Sequence, residues 1–316
     1  LNDTGKIMVS VFCIAYNHKP FIRKCLESLI NQNVNFKYEI LVNDDASTDG
    51  TTKIIEEYQN EYPELVRAVL HEENLYSKGV SAMNDILMPM AKGEYIAVCE
   101  GDDFWISSEK LQIQTDFLEN NPEFTICGHN AYYADERGNK KGLFSNITAD
   151  REISTEEVIE KWIFPTASIM FRREAAINSD FPDVKDKPCA DYPLAVNMAL
   201  NGKAYFFAEP MSVYRVNAKS VTGKNNENPE KKNKANQRFI NMLNIYDEYT
   251  NKQFSFSFDV MRDSLNFENL MLNREIKKAK KLYPDNWKKR RKHYLKQKIK
   301  DSFPFIAKVK NKMIKN

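Results

Sequence analysis

The chain is poor in glycine: ten in 316 residues, none closer together than Gly138 and Gly142. G-x-G-x-x-G, G-x-x-x-x-G-K-[ST] and G-x-S-x-G are all absent, so glycine-rich backbone does not cradle any diphosphate this protein binds. Cysteine is sparse as well. Cys13, Cys25, Cys99, Cys127 and Cys189 are odd in number, widely spaced and mostly embedded in apolar runs, which excludes a disulfide framework and a C-x-x-C zinc site and predicts reduced core thiols in a cytosol. Leu75 stands where an H-E-x-x-H helix beginning at His71 needs its second histidine. Long apolar runs are missing too: the longest, Met8 to Tyr16, is far short of the roughly 20 residues that span a bilayer. The first residues also lack a charged-then-apolar secretory pattern, so the expectation is a protein neither membrane-spanning nor exported.

What is present is balanced overall and uneven locally. The chain has 46 Lys+Arg against 44 Asp+Glu and 42% apolar residues, the composition of a globular protein rather than a disordered one. From Arg274 to Asn316 there are 17 basic and 3 acidic residues, a net +14, and the preceding 273 residues carry a net −12. Within this tail, Trp287-Lys288-Lys289-Arg290-Arg291-Lys292 is followed by Ile306, Val309 and Met313 at helical spacing between lysines. Three readings are open at this point: a basic amphipathic helix in an anionic membrane interface, a helix packing its stripe on the body, or a nucleic-acid contact.

Periodicity organises the body. Val9–Ala15, Tyr38–Val42, Leu65–Leu70, Tyr95–Cys99 and Phe124–Gly128 read as strands, and Phe21–Asn31, Thr51–Tyr62, Val80–Met90 and Glu109–Asn120 as helices. This alternation predicts an α/β fold with a parallel sheet covered by helices on both faces. Further strands are expected at Thr166–Phe171, Ala204–Phe207 and Ser212–Val216, with a helix at Tyr192–Leu200. Polar Lys219–Lys234 predicts a loop or linker, and the pattern from Ala235 onward is helical.

In open parallel sheets ligands bind at the carboxyl ends of the strands. Here those ends read Tyr16-Asn17-His18, Asn43-Asp44-Asp45-Ala46-Ser47 and Glu100-Gly101-Asp102-Asp103. Three carboxylates within four residues repel one another unless a cation joins them, and hard oxygen donors suit Mg²⁺ or Mn²⁺. Alone, G-D-D could be an acidic surface turn; with a second acidic loop at another strand end, a site is favoured.

VSVFCIAYN, EILVNDDASTDGT and KGVSAMNDILMPMAKGEYIAVCEGDDFW, in this order, resemble the family 2 glycosyltransferases of the GT-A fold, over about residues 7 to 217. The resemblance implies an inverting transfer of sugar from a nucleoside diphosphate. It places Ala15, Tyr16 and Asn17 beside the nucleotide base and gives Asp45 a uracil ring nitrogen to accept from, hence a UDP-sugar donor. It sets Lys78 and Asn84 near the diphosphate. Glu100, Gly101 and Asp102 fall on the family's D-x-D, with Asp102 as direct metal ligand and residue 100 toward ribose or a metal-bound water, and Asp103 counts with them among the residues that bind the donor and its metal. Glu100 departs from the usual aspartate, and Ile14 from a frequent proline.

The resemblance also implies a carboxylate general base, and Asp191 in Cys189-Ala190-Asp191-Tyr192-Pro193-Leu194 matches it, followed later by Gly202; Asp186 is the reserve. The plain alternative is a helix cap with Pro193 in the first turn. Asn217 stands where some relatives have a metal-binding histidine. Arg215 is read as a phosphate contact or a salt-bridge partner, Trp105 as packing or an acceptor platform, and His18 and His129 as structural or solvent-facing. The expected organisation is a GT-A domain over residues 1–220 and a linker with a helical basic region over 221–316. The implied partners are a UDP-sugar and a saccharide or lipid-linked acceptor for capsule, O-antigen or exopolysaccharide. The expected place is cytoplasmic, peripheral at the inner face of the membrane through the tail. An acidic body argues against nucleic acid. The rivals are a nucleotidyltransferase on a similar sheet and a non-catalytic membrane-binding module.

Overall fold

A computed structural model describes residues 5–182, 184, 187–216 and 228–289. Two compact units divide the chain, residues 1–223 and 224–316.

The first unit begins with β1 (Ile7–Ala15), buried along most of its length, then α1 (Ile22–Ile30), β2 (Lys37–Asp44), α2 (Thr51–Glu61) and β3 (Val66–Leu70). Ile22, Cys25, Leu26 and Leu29 form the buried stripe of α1, at the spacing that turns one helical face inward. A 3₁₀ turn at Tyr76–Lys78 and a π-helical turn at Ala82–Leu87 lead through α3 (Met88–Met90) into β4 (Tyr95–Glu100). After β5 (Phe104–Trp105) and α4 (Lys110–Asn120) come β6 (Phe124–Ala134), β7 (Lys140–Leu143), β8 (Arg151–Ile153) and α5 (Thr155–Glu160). A 3₁₀ turn at Thr166–Ser168, β9 (Met170–Arg172), α6 (Arg173–Ile177), α7 (Asp191–Asn201) and β10 (Lys203–Arg215) complete the unit.

Ten strands make one sheet in the order β3-β2-β1-β4-β9-β6-β10-β5, with β7 added to β6 and β8 to β10. The first four are mutually parallel, as the β-α-β-α rhythm requires. Their register pairs Ala15 with Asp44 and Ile14 with Glu100, so three strand ends finish at the same level. This is what gathers the polar loops.

Several expectations are corrected beyond residue 130. Thr166–Phe171 is not one strand: its first half is the 3₁₀ turn, and β9 runs antiparallel to both β4 and β6. The strands expected at Ala204–Phe207 and Ser212–Val216 are one strand, β10, which ends at Arg215 and whose pairing with β6 slips around Pro210, a residue with no N–H to give the ladder. The strand expected to stop at Gly128 runs on to Ala134. A Cβ on Gly128 would lie 2.3 Å from Phe164 Cδ1, so glycine there admits the loop that precedes the 3₁₀ turn.

In the second unit α8 (Pro229–Tyr249), α9 (Ser255–Leu272) and α10 (Ile276–Leu282) follow one another. Part of the expected linker is therefore helix. Asn228 caps α8 by accepting from the Glu230 and Lys231 N–H groups, and Pro229 takes the first helical position, where its missing N–H costs nothing. The α8–α9 pair is tied by Arg262 to Asp247 (2.8 Å) and by Asn236 to Glu268 and Asn269. The tail stripe at Ile306, Val309 and Met313 lies outside the described residues. Among the described residues no helix is long and apolar enough to cross a membrane.

Candidate active site

The loops after β1 and β2 are built as one unit. Asn17 adopts a left-handed backbone (φ 56°); its N–H donates to Ser47 Oγ (2.8 Å) while its Oδ1 accepts the Thr48 N–H (2.8 Å). Ala46, at φ 61°, turns the second loop, a conformation that costs a non-glycine residue of order 1 kcal/mol and clusters at functional sites. Asp44 is consumed internally by the Ser47 and Thr52 hydroxyls. Tyr16 stays 45% exposed beside them, and the buried Ala15 accepts the Asp45 N–H through its carbonyl.

Asp45 does local work: its Oδ1 accepts the Leu75 N–H (2.7 Å) and its Oδ2 the Tyr76 N–H (3.2 Å). Each carboxylate oxygen has two lone pairs, so one acceptor position per oxygen remains for a base. The segment so anchored carries Lys78, which pairs with Glu73 (2.5 Å), and leads to exposed Asn84. Neither hydrogen-bonds or ion-pairs with the acidic loop after β4.

That loop is the electrostatic centre. Burial, then Asp102, then Asp191 push the Glu100 carboxyl up to about 8. Asp103 is driven well above the carboxylate range by burial and by Asp102 and Glu100. Burial likewise raises Asp191. Glu100 responds to both Asp102 and Asp191 and shares the Thr166 hydroxyl with Asp191, so the structure brings Asp191 to this loop although nearly ninety residues of chain separate the two. Tyr214 is raised by burial and then by the same four carboxylates.

Each member is held differently. Arg215 braces the loop from behind: its N–H donates to Asp103 Oδ1 (2.7 Å), its guanidinium to the Asp102 carbonyl, and its plane lies between the rings of Phe21 and Phe104. Gly101 sits where a Cβ would come within 2.9 Å of His18 Nδ1, so the imidazole packs closely against the loop. Asp191 Oδ2 accepts from Trp162 Nε1 (3.0 Å) and Thr166 Oγ1 (3.2 Å), and the Thr166 hydroxyl also bonds Glu100. The carboxylate of Asp102 receives no hydrogen bond from the described residues.

Three residues go unrecognised or misassigned in the sequence. His18 sits at the acidic loop: Nε2 lies 3.8 Å from Asp102 Oδ2, and its buried Nδ1 has no hydrogen-bond partner. Thr166 and Trp162 carry no motif; only the fold brings them to Asp191. The platform reading of Trp105 fails, because the ring is buried at 3% exposure, donates to the Ala167 carbonyl and lies under Lys110 Nζ at 4.1 Å. Lys110, fully buried and pushed down to about 7 by burial, donates to Gln114, which in turn donates to the Ser168 carbonyl. Trp105, Lys110 and Gln114 thus hold the turn that carries Thr166. His129 is structural, as expected: it is buried, with Nδ1 on the Asn130 carbonyl. Asp186 and Asn217 lie outside the described residues.

Among the described residues no three side chains already form a metal cage. Mg²⁺ and Mn²⁺ do not demand one: they are commonly bound by one or two carboxylates, waters and substrate phosphates. An unclaimed Asp102 carboxylate among carboxyls whose ionisation is suppressed fits an ion that arrives with a diphosphate.

The sequence model of the family described as Glycosyl transferase family 2 matches residues 10–179. An uncharacterized protein of Mycobacterium tuberculosis is 34% identical over 217 residues, 67% of this chain and 60% of that one, so the chain spans less than two thirds of that relative's length. The UDP-Glc:alpha-D-GlcNAc-diphosphoundecaprenol beta-1,3-glucosyltransferase WfaP of Escherichia coli is 30% identical over 216 residues, 68% of this chain and 80% of that one. Among solved structures, S. aureus TarS in complex with UDP superposes with a TM-score of 0.56 at 20% identity, covering 84% of this chain and 71% of that one. The mannosyltransferase PcManGT of Pyrobaculum calidifontis, with GDP-Man and Mn²⁺, gives 0.58 at 18%, covering 87% and 74%. The fold is that of the GT-A transferases, and the chain belongs to glycosyl transferase family 2.

Proposed function

We propose that this protein transfers a sugar from a UDP-sugar to a saccharide hydroxyl with inversion, on a lipid-linked acceptor of a cell-surface polysaccharide, at the cytoplasmic face of the membrane. The observation that carries this reading is the convergence of Asp102 and Asp191, one carboxylate left open and the other oriented by two donors. An inverting displacement needs two such groups, one toward the leaving diphosphate and one toward the incoming hydroxyl. Tyr16, Asn17 and Asp45 are suited to the nucleoside, Asp45 by its remaining lone pairs. Asp102 and Glu100 are suited to hold Mg²⁺ or Mn²⁺, which when bound would offset charge growing on the departing UDP. Asp191 takes the acceptor proton; burial raises its proton affinity and so favours that role. The name of the E. coli relative and the UDP complex of the S. aureus structure support the donor and the lipid-linked acceptor. The +14 tail supports an anionic membrane surface as the place of work.

The test is a panel of UDP-sugars with Mn²⁺, scored for hydrolysis and for thermal protection, on wild type and Asp102→Asn. Wild type should hydrolyse one donor slowly and lose this in excess chelator. Asp102→Asn should lose of order 10²-fold or more, as removal of one key electrostatic contact does. Full activity of the variant, or full activity in chelator, would refute the metal-dependent reading.

A further inference from the structure

Trp162 is 42% exposed although the next two residues, Ile163 and Phe164, are buried at 6% and 2%. Its indole N–H is committed to Asp191 Oδ2 at 3.0 Å, so the ring is held beside the carboxylate with much of its surface in solvent. The place is rigid. Tyr192, next to Asp191 on α7, donates its hydroxyl to the Ile159 carbonyl (2.6 Å) at the end of α5, and its ring lies 5.8 Å from the indole. Thr155 donates to the Ala199 carbonyl (2.9 Å), fastening the start of α5 to α7. The helix that carries Asp191 therefore also anchors the segment that carries Trp162, the kind of support that holds a site to its productive geometry.

We infer that Trp162 is the platform on which the acceptor sugar ring stacks, and that its N–H at the same time positions Asp191. This rests on the glycosyltransfer reading above. A hydroxyl giving its proton to Asp191 must come within about 3 Å of the carboxylate. The indole nitrogen is already at that distance, so a pyranose bearing that hydroxyl lies against the ring. A rigid aromatic surface beside a few fixed polar groups suits a ligand whose one face is C–H and whose edge is hydroxyl. Trp105, the other tryptophan of this unit, is buried.

The experiment uses octyl glycosides of glucose, galactose and N-acetylglucosamine, with full-length wild type, Trp162→Phe, Trp162→Ala and Trp287→Phe. One glycoside should quench tryptophan emission in wild type and Trp287→Phe but not in Trp162→Phe. With that glycoside as acceptor, Trp162→Phe, which keeps a ring and loses the N–H, should lower kcat and leave the acceptor KM near wild type. Trp162→Ala should also raise the acceptor KM about tenfold, as loss of an aromatic contact does. The Kd for UDP should not change in either. Absence of quenching by every glycoside overturns the inference, as does an acceptor KM unchanged in a folded Trp162→Ala. Should the alanine variant not fold, a Trp162→Phe with wild-type kcat overturns the positioning half. These failures beside intact UDP-sugar hydrolysis remove only the platform; failure of wild type to bind UDP or hydrolyse any UDP-sugar removes the glycosyltransfer reading with it.

Discussion

Asp191 is both the first residue of α7 and the acceptor for Trp162 and Thr166, and a helix cap and a catalytic base respond differently to substitution. Asp191→Asn keeps the shape and an acceptor oxygen for the two donors while removing the proton sink. Turnover should fall at least 10²-fold, at the low end of what general-base catalysis contributes, with the UDP dissociation constant unchanged. Calorimetry beside initial rates checks this, and parallel losses in both would return Asp191 to a purely structural role. The sequence discloses the residues that are adjacent along the chain. Glu100, Gly101 and Asp102 are legible because a strand end carries them as one word. It also discloses Asp45, though not that both its oxygens already hold the Leu75 and Tyr76 amides. His18, Thr166 and Trp162 stay hidden because their meaning is a distance, and that distance is made by sheet register and by α5 docking on α7.

At the scale of elements, the segment from Phe104 to Gln114 supports the site through the turn that carries Thr166. Lys110 is the anomalous member, a cation with no exposed surface, its affinity for the proton lowered to about 7 from the usual 10.5 by burial. Between these two values the unfolded chain holds more protons than the folded one, so this group's contribution to stability improves as pH rises from 7, and its penalty is fully present below 7. Lys110→Met should therefore be more stable than wild type at pH 6. The difference should shrink by up to about 1.4 kcal/mol per pH unit above 7. Denaturant melts of both proteins at pH 6, 7, 8 and 9 read this directly, and a gap that widens with pH contradicts it. The parallel half of the sheet and its helices follow from periodicity because each strand is followed by the helix that covers it. β9 does not, since three residues carry no period. The start of α8 stays hidden in the polar stretch read as a linker, although Asn228-Pro229 supplies a cap followed by a first-turn proline.

For the whole molecule, charge is divided unevenly along the chain, and the proposed membrane attachment rests on that division. Deleting the chain from Asn286 onward removes most of the basic excess and leaves an acidic body that anionic lipid repels. Full-length protein should co-sediment with phosphatidylserine vesicles and come off as salt rises, because attraction over a Debye length of about 10 Å at 0.1 M is screened. The truncated form should not bind yet should keep UDP affinity. Vesicle binding unaffected by truncation, or none by the full chain, removes the membrane claim. Sheet order carries a different consequence. Strands β3, β2, β1 and β4 meet β6, β10 and β5 in the sheet through β9, whose three residues all pair with β4 while Met170 and Phe171 also pair with β6. Asp45 and Asp102 come from the first side of that seam, Arg215 and Asp191 from elements of the other. A ligand bound between them would act as a staple across this short join, adding RT ln(1 + [L]/Kd) to the free energy of opening it. The amides of Met170, Phe171 and Arg172 should then be the sheet's gauge of occupancy, exchanging with deuterium more slowly as the site fills while strands away from the seam keep their own pace.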